Sequence, residues 1–353
     1  GSSGGGGGGG GDVGKAMAGL PSPRGGGGVA APPTEQVLDA KRAQNVAITM
    51  SRFGKVTPNE LVTGLLKVDA TVITADNLKA LRVCVPTSDE RDALKDIDPS
   101  TLERRNKAEQ LLVALMTVPR LEERLETLQY YASFSQRLNA IQKATHVLST
   151  ATREVRMSRK LPRLLTFILA TANYINGSTP RGGAFGFKLG SLHRLGDLKQ
   201  NKSPHTLLHY LCEMLEKHEQ AELIDVGTDM PTLRMASRES LAQLDQDMKV
   251  LRDGLQAVEA ALENLDEEGT KYPQYGKLMR TFHTGAAKKV AAATKAHVNL
   301  KESYKSLLKF YAEPPSSDSE QFFNQLYMFV VAMQNAHADL ERAREATEKK
   351  NRK

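Results

Sequence analysis

Leu241, Leu244, Met248, Leu251, Leu255, Val258, Leu262 and Leu265 step by three and four residues without a slip. An apolar stripe of that period lies along one face of a helix, and its sustained heptad character calls for a left-handed coiled coil or a long bundle helix. Such a seam is unstable in water until other helices cover it. Gly254 falls inside it and reads as a local weakness, costing about 1 kcal/mol relative to alanine. Two candidate covering helices follow: one from Tyr275 through Tyr311, and one from an Asp318 N-cap after Pro314 and Pro315 through Leu340.

Upstream, prolines and glycines separate intervals that are helical in period, and strand-like alternation is nearly absent. Thr57 as N-cap with Pro58 and Glu60 starts a helix through Leu66, and Thr74 with Asn77 starts another through Val83. Short helices are expected near Asp89–Leu94 and over Leu102–Met116. Pro119 fits a first helical turn, and Leu121, Leu125, Leu128, Leu138, Ile141 and Leu148 then form the stripe of a more elongated bundle. The fold class is all-α, and Glu341 to Lys353, almost wholly polar, should fray or project into solvent.

Fifteen of the 28 glycines lie between Gly1 and Gly28. Residues 1–33 therefore read as a disordered Gly-rich tail that cannot bury enough apolar surface to fold. Their opening Gly-Ser-Ser-Gly, without an initiator Met, reads as a vector remnant on a fragment. Beyond it stand 46 basic and 40 acidic residues with both signs interspersed. That balance suits an acidic protein surface as well as nucleic acid, and nucleic-acid binding is not favoured. Cys84 and Cys212 occupy apolar helical contexts without metal-ligand spacing, which fits buried thiols in a reducing compartment. No apolar run is long enough to span a membrane, so the expected location is cytoplasmic.

The stretch Leu169–Leu211 stands apart. A Leu/Ala-rich helix reaches Asn173 and Asn176, breaks at Gly177, crosses a loop holding Gly182, Gly183 and Gly186, and resumes. This segment, with Lys41, Arg42, Ala43, Gln44, Asn45 and Ile48 upstream and Gly183-Ala-Phe-Gly-Phe-Lys188 leading to Leu195, Asp197, Lys199 and Lys202, resembles the formin homology-2 domain of actin-assembling formins. The resemblance spans roughly residues 38–345. It implies an elongated multi-helix fold with knob, coiled-coil and post subdomains: a linker remnant and knob over 34–118, and the coiled-coil and post region over 119–353.

The resemblance further implies that Ile48 inserts into the apolar cleft at the barbed end of actin, monomeric or in filaments. Lys199 would contact actin electrostatically, with Lys41, Arg42 and Lys202 nearby in the binding surface. From the residues alone, Ile48 also reads as core, because Val46, Met50 and Phe53 are close by. Asn173, Tyr174, Ile175 and Asn176 match the element that receives a partner's lasso, with Gly183, Phe185, Gly186 and Phe187 completing that docking region. The leading glycine of the element is here Ala172, a departure that would weaken docking if close approach demands glycine. Asn176–Gly177 works equally well as a plain helix stop.

The family's lasso carries tryptophan anchors, and this chain has no Trp. A lasso is thus expected to be absent or degenerate, weakening a homodimer and favouring a monomer or weak dimer that caps ends more than it nucleates. Pro21, Pro23, Pro32 and Pro33 are too sparse for a profilin-binding tract.

Enzymatic readings find little support. The glycine-rich loop lacks a G-x-x-x-x-G-K-[ST] pattern and a preceding strand. His205 and His209 have zinc-like i, i+4 spacing but no intervening Glu and no evident third ligand. No catalytic residue, cofactor or metal is expected. The alternative to actin binding is a helical scaffold that offers the Leu241–Leu265 seam to a non-actin protein.

Overall fold

The computed structural model describes residues 37–180, 182–199, 205–265 and 273–352. Helix α1 (Ala40–Ser51) starts at Asp39, whose carboxylate accepts the Lys41 and Arg42 amides at 3.0 and 3.2 Å. In α2 (Pro58–Lys67) the Thr57 hydroxyl accepts the Glu60 amide while the Glu60 carboxylate accepts the Thr57 amide, a reciprocal cap. Helix α3 (Ala75–Val83) is capped by Thr74, and α4 (Ser88–Lys95) repeats the reciprocal cap with Thr87 and Glu90.

The helix expected over Leu102–Met116 divides. Pro99–Arg104 is a 3-10 turn, and α5 (Lys107–Met116) begins afresh at Asn106, whose side-chain oxygen accepts the Glu109 amide at 2.8 Å. Asn competes for backbone groups in this way wherever a new start is available. Pro119 likewise lies before the next helix rather than in its first turn: Arg120 adopts a left-handed conformation, and α6 (Leu121–Met157) follows.

At 37 residues, α6 is about 55 Å long, and Leu121, Leu125, Leu128, Leu138, Ile141 and Leu148 are all buried along it. After it come α7 (Lys160–Asn176), α8 (Arg194–Asp197), α9 (Leu207–Lys217), α10 (Leu233–Ala236), α11 (Leu241–Glu263), α12 (Pro273–Phe310) and α13 (Ser319–Asn351). No strand occurs among the described residues, where one isolated bridge joins Lys199 and Thr206. The polar tail, expected to fray or project into solvent, does not fray: it continues as helix to Asn351 with its side chains exposed.

The Leu241–Leu265 seam is covered within the chain. Helices α6, α11 and α12 pack as a three-helix bundle, burying Leu244, Met248, Leu251 and Val258, with Leu255 and Leu262 half-buried at its margin. Gly254, expected to be a weak point, is where the Tyr130 ring of α6 packs against the α11 backbone. A Cβ there would lie 2.3 Å from Cδ2 of Tyr130, whose hydroxyl donates to the Leu251 carbonyl at 2.7 Å. Tyr130, Phe134 and Phe282 meet edge to face beside this contact, with centroids 5.1 to 5.8 Å apart.

In front of the bundle, α1, α2 and α4 pack on α5, and α3 lies on α6. At the other end, α9 and α10 pack on α13. At the start of α7 the Ser158 hydroxyl accepts the Leu161 amide at 3.0 Å, and Asp229 reinforces this cap: its carboxylate accepts the Ser158 hydroxyl at 2.8 Å and the Arg159 and Lys160 amides at 3.2 Å each. Cys84 and Cys212 are buried free thiols, and burial pushes Cys212 up to about 12. No described helix is long and apolar enough to cross a membrane.

The Tyr130 contact reverses the usual ranking of alanine over glycine in a helix. Gly254→Ala should destabilise the fold by about 1 to 3 kcal/mol through overpacking. Urea unfolding followed by circular dichroism checks this, and a stabilised variant would mean that Tyr130 yields freely.

Candidate functional site

Helix α1 has two unlike faces. Ala43, Val46 and Met50 point inward and are buried, whereas Lys41, Asn45, Ile48 and Arg52 line the opposite side and are exposed. Ile48 is 57% exposed while Val46, two residues away, is 1% exposed. The structure thus removes the core reading of Ile48: it is an aliphatic side chain standing alone on a polar ridge. Arg52, one turn further on the same side, carries a charge that sequence reading did not single out, because nothing in local pattern separates it from any solvated arginine.

Arg42 faces inward. Its Nε lies 2.7 Å from Glu90 Oε1 and its Nη2 3.2 Å from Glu90 Oε2, while Nη1 and Nη2 donate to the Val83 and Val85 carbonyls at 2.7 and 3.0 Å. The guanidinium therefore fixes α1 against the end of α3 and the start of α4. Burial pushes the Glu90 carboxyl up, but Arg42 and the Thr87 amide outweigh it and hold it below the usual carboxylate range. A second fastening lies at the start of α1, where the buried Glu109 carboxylate accepts the Val37 and Leu38 amides at 2.8 and 3.3 Å and pairs with Arg105.

The loop after α7 is organised by Asn173. Its amide donates to the Ala184 carbonyl at 2.9 Å and its oxygen accepts the Ala184 amide at 2.8 Å, so one side chain clips the loop back onto the helix. Asn176 donates to the Ala172 carbonyl within its own helix. Glycine is required at Gly182, where a Cβ would meet the Asn176 carbonyl oxygen at 2.7 Å, and at Gly183, where φ is +70°. Gly186 has open space around it. This geometry pushes Tyr174, Ile175, Phe185 and Phe187 outward, with Tyr174 84% and Ile175 50% exposed and Phe185 fully so. Four large apolar side chains are thus left facing solvent on the end of α7 and the loop that follows it.

Lys199 is exposed after α8, held by the bridge to Thr206 and by the Leu207 amide donating to Leu198 at 2.8 Å. Lys202 lies outside the described residues. Asn173, Tyr174, Gly183, Phe185, Gly186 and Phe187 thus come together in one loop-and-helix unit, while Lys41 and Ile48 share a face of α1.

The two histidines with zinc-like spacing have another task. Their rings stack at 4.8 Å, and His209 Nδ1 accepts the Thr206 amide at 3.0 Å, capping α9 in place of the usual Glu or Gln. Sequence reading did not find the group Glu216, His337 and Glu341, because α9 and α13 supply it across more than a hundred residues. Arg344 satisfies its carboxylates: it makes a double contact with Glu216 and one with Glu341 at 2.9 Å, and the Arg344 contact holds Glu216 below its ordinary range. That arrangement is an ion-pair network joining two helices.

Two substitutions test the supports. Arg42→Ala should cost about 2 kcal/mol by taking the cation from Glu90 and leaving two carbonyls without their donor. Because the Glu90 carboxyl is depressed in the folded state, that contribution is present above its unfolded pKa and fades as pH falls through the lower folded value. Thermal unfolding at neutral pH and at about pH 3 should show the mutant gap narrowing in acid. Asn173→Ala should release the loop and raise its rate of limited proteolysis several-fold, with helix content unchanged.

The family model of the Formin Homology 2 Domain matches residues 28–334. Formin-like protein 14 of Arabidopsis thaliana is 28% identical over 328 residues, covering 93% of this chain and 26% of that protein. Formin-like protein 12 of Oryza sativa subsp. japonica is 30% identical over 325 residues, covering 91% of this chain and 19% of that protein. The chain therefore spans about a quarter or less of these relatives. With its all-helical architecture and a family match across most of its length, the chain belongs to the formin homology 2 family.

Proposed function

We propose that this domain binds actin and assembles it at filament barbed ends. Ile48 is the apolar plug, and Lys41, Lys199 and Lys202 supply positive charge around the bound subunit. The observation that carries this reading is the exposure of Ile48 on a helix whose other large apolar residues, Val46 and Met50, are turned inward. Filling an apolar cleft with such a side chain contributes about 1.5 to 3 kcal/mol and needs no ionic partner. The fastening of α1 by Arg42 and Glu109 supports the same reading, because a contact made by one side chain gains from a rigid mount. Arg42 then acts by positioning α1.

The mechanism is mechanical: association energy holds actin subunits in filament-like spacing, and no catalytic group takes part. In this reading residues 34–118 form the knob and 119–353 the coiled-coil and post region. Tyr174, Phe185 and Phe187 form the apolar surface on which a second copy docks, clipped in place by Asn173. The domain would then act at the actin cytoskeleton in the cytoplasm, nucleating and elongating filaments as a dimer and mainly capping them as a monomer. The scaffold alternative loses its docking surface, since the seam it requires is covered by α6 and α12.

Pyrene-actin assembly tests the proposal. The domain should change the assembly rate, Ile48→Ala should abolish at least about 90% of that change, corresponding to about 1.4 kcal/mol or more, and Lys199→Ala should reduce it. An Ile48→Ala variant that is folded and fully active would refute it.

A further inference from the structure

Helix α12 carries eight Lys and Arg residues against a single acid, Glu302. Its formal +7 equals the net charge of the whole chain, so the rest of the chain is neutral overall. Along the C-terminal half of α12, facing the last turns of α6, lies a groove of about 700 Å³. Arg153, Arg156 and His146 border it from α6, and Glu302, Ser303 and Ser306 from α12.

Arg153 is exposed and makes no hydrogen bond or ion pair among the described residues. Arg156 is stacked on the Phe310 ring with its guanidinium carbon 3.8 Å from the centroid. Stacking uses the face of the guanidinium and leaves its edge N–H groups directed outward, the geometry that binds a carboxylate through two parallel hydrogen bonds. The groove thus offers two arginines free to accept anions, flanked by serine hydroxyls.

We propose that this groove is a docking site for a short, extended acidic segment of a partner protein. From His146 to Arg156 is about 15 Å along the helix axis, which matches four or five residues of extended chain. Two solvent-facing arginines three residues apart on α6, with a groove beside them, offer a short acidic peptide paired charge contacts along its length. Glu302 at the rim disfavours close negative charge on that side and so sets where the acidic residues of the ligand lie. This surface is separate from α1 and from the loop after α7, and the inference does not depend on the actin reading.

The probe is a fluorescein-labelled penta-glutamate peptide read by fluorescence anisotropy. The intact domain should bind it, with affinity falling about tenfold between low and moderately high salt as the charges are screened. The Arg153→Gln/Arg156→Gln double variant should bind at least about tenfold more weakly, while Glu302→Gln should bind about two- to threefold more tightly. Ile48→Ala should bind as the parent does. These side chains are solvent-facing, and an unchanged melting temperature confirms that the variants fold. Equal affinity in the double variant would overturn the proposal. So would labelled duplex DNA or phosphatidylserine vesicles that bind more tightly than the peptide and lose that binding in the same variant.

Discussion

The close approach of α6 to α11 at Tyr130 and Gly254 is the contact on which the bundle's geometry depends. A 37-residue helix can support partners on several sides only if their backbones come near enough for side chains to interlock, and here one missing Cβ admits an aromatic ring. The ring then closes the crossing with a hydrogen bond to Leu251 and edge-to-face contacts with Phe134 and Phe282. Helices α3, α10, α11 and α12 all rest directly on α6. Interiors at crystal-like density transmit such a contact rather than absorb it, so the crossing also fixes the direction from which the front helices project.

On that base the exposed features are held by polar fastenings rather than by further core. Arg42 with Glu90, Glu109 with the Val37 and Leu38 amides, Asp229 at the start of α7 and Asn173 across the following loop each satisfy backbone groups that would otherwise be unpaired. Each joins residues distant in sequence or lying across a loop, and those on α1 and on the loop after α7 stand behind apolar groups left facing outward. Burial and exposure are thereby decoupled: Ile48 remains outside because its helix is secured from the inner side, and Tyr174 and Phe185 remain outside because their loop is clipped to α7.

Much of the fold was legible in the sequence where the signal is local. Thr57 with Glu60, Thr74, and Asp318 mark helix starts through hydrogen bonds within one turn, and the Leu241 seam reports its own burial by period. What was not legible depends on partners far along the chain. Gly254 looks unfavourable by helix propensity, and only Tyr130, more than a hundred residues earlier, gives it a purpose. Arg42 reads as a surface cation until Glu90 and two carbonyls enclose it. His209 has the spacing of a metal pair without the other ligands, and only Thr206 shows what its ring nitrogen does. The split at Asn106 was missed because a continuous apolar period conceals a competing cap. Within the candidate site, the orientation of Ile48 was the open question, since sequence spacing alone cannot say which face of a short amphipathic helix meets the core when apolar residues fall on both.

The central claim is that Ile48, rigidly mounted and outward, enters an apolar cleft of actin. Both native thiols are fully buried, so an Ile48→Cys variant carries one reactive, accessible thiol that takes an environment-sensitive fluorophore selectively. Adding actin should shift the dye's emission to the blue as it leaves water, saturating with actin concentration, and an unlabelled parent domain should reverse the shift by competition. Emission that stays at its solvent-exposed wavelength while the labelled domain is shown to bind actin would contradict the account, because the domain would then be gripping its partner by some other surface.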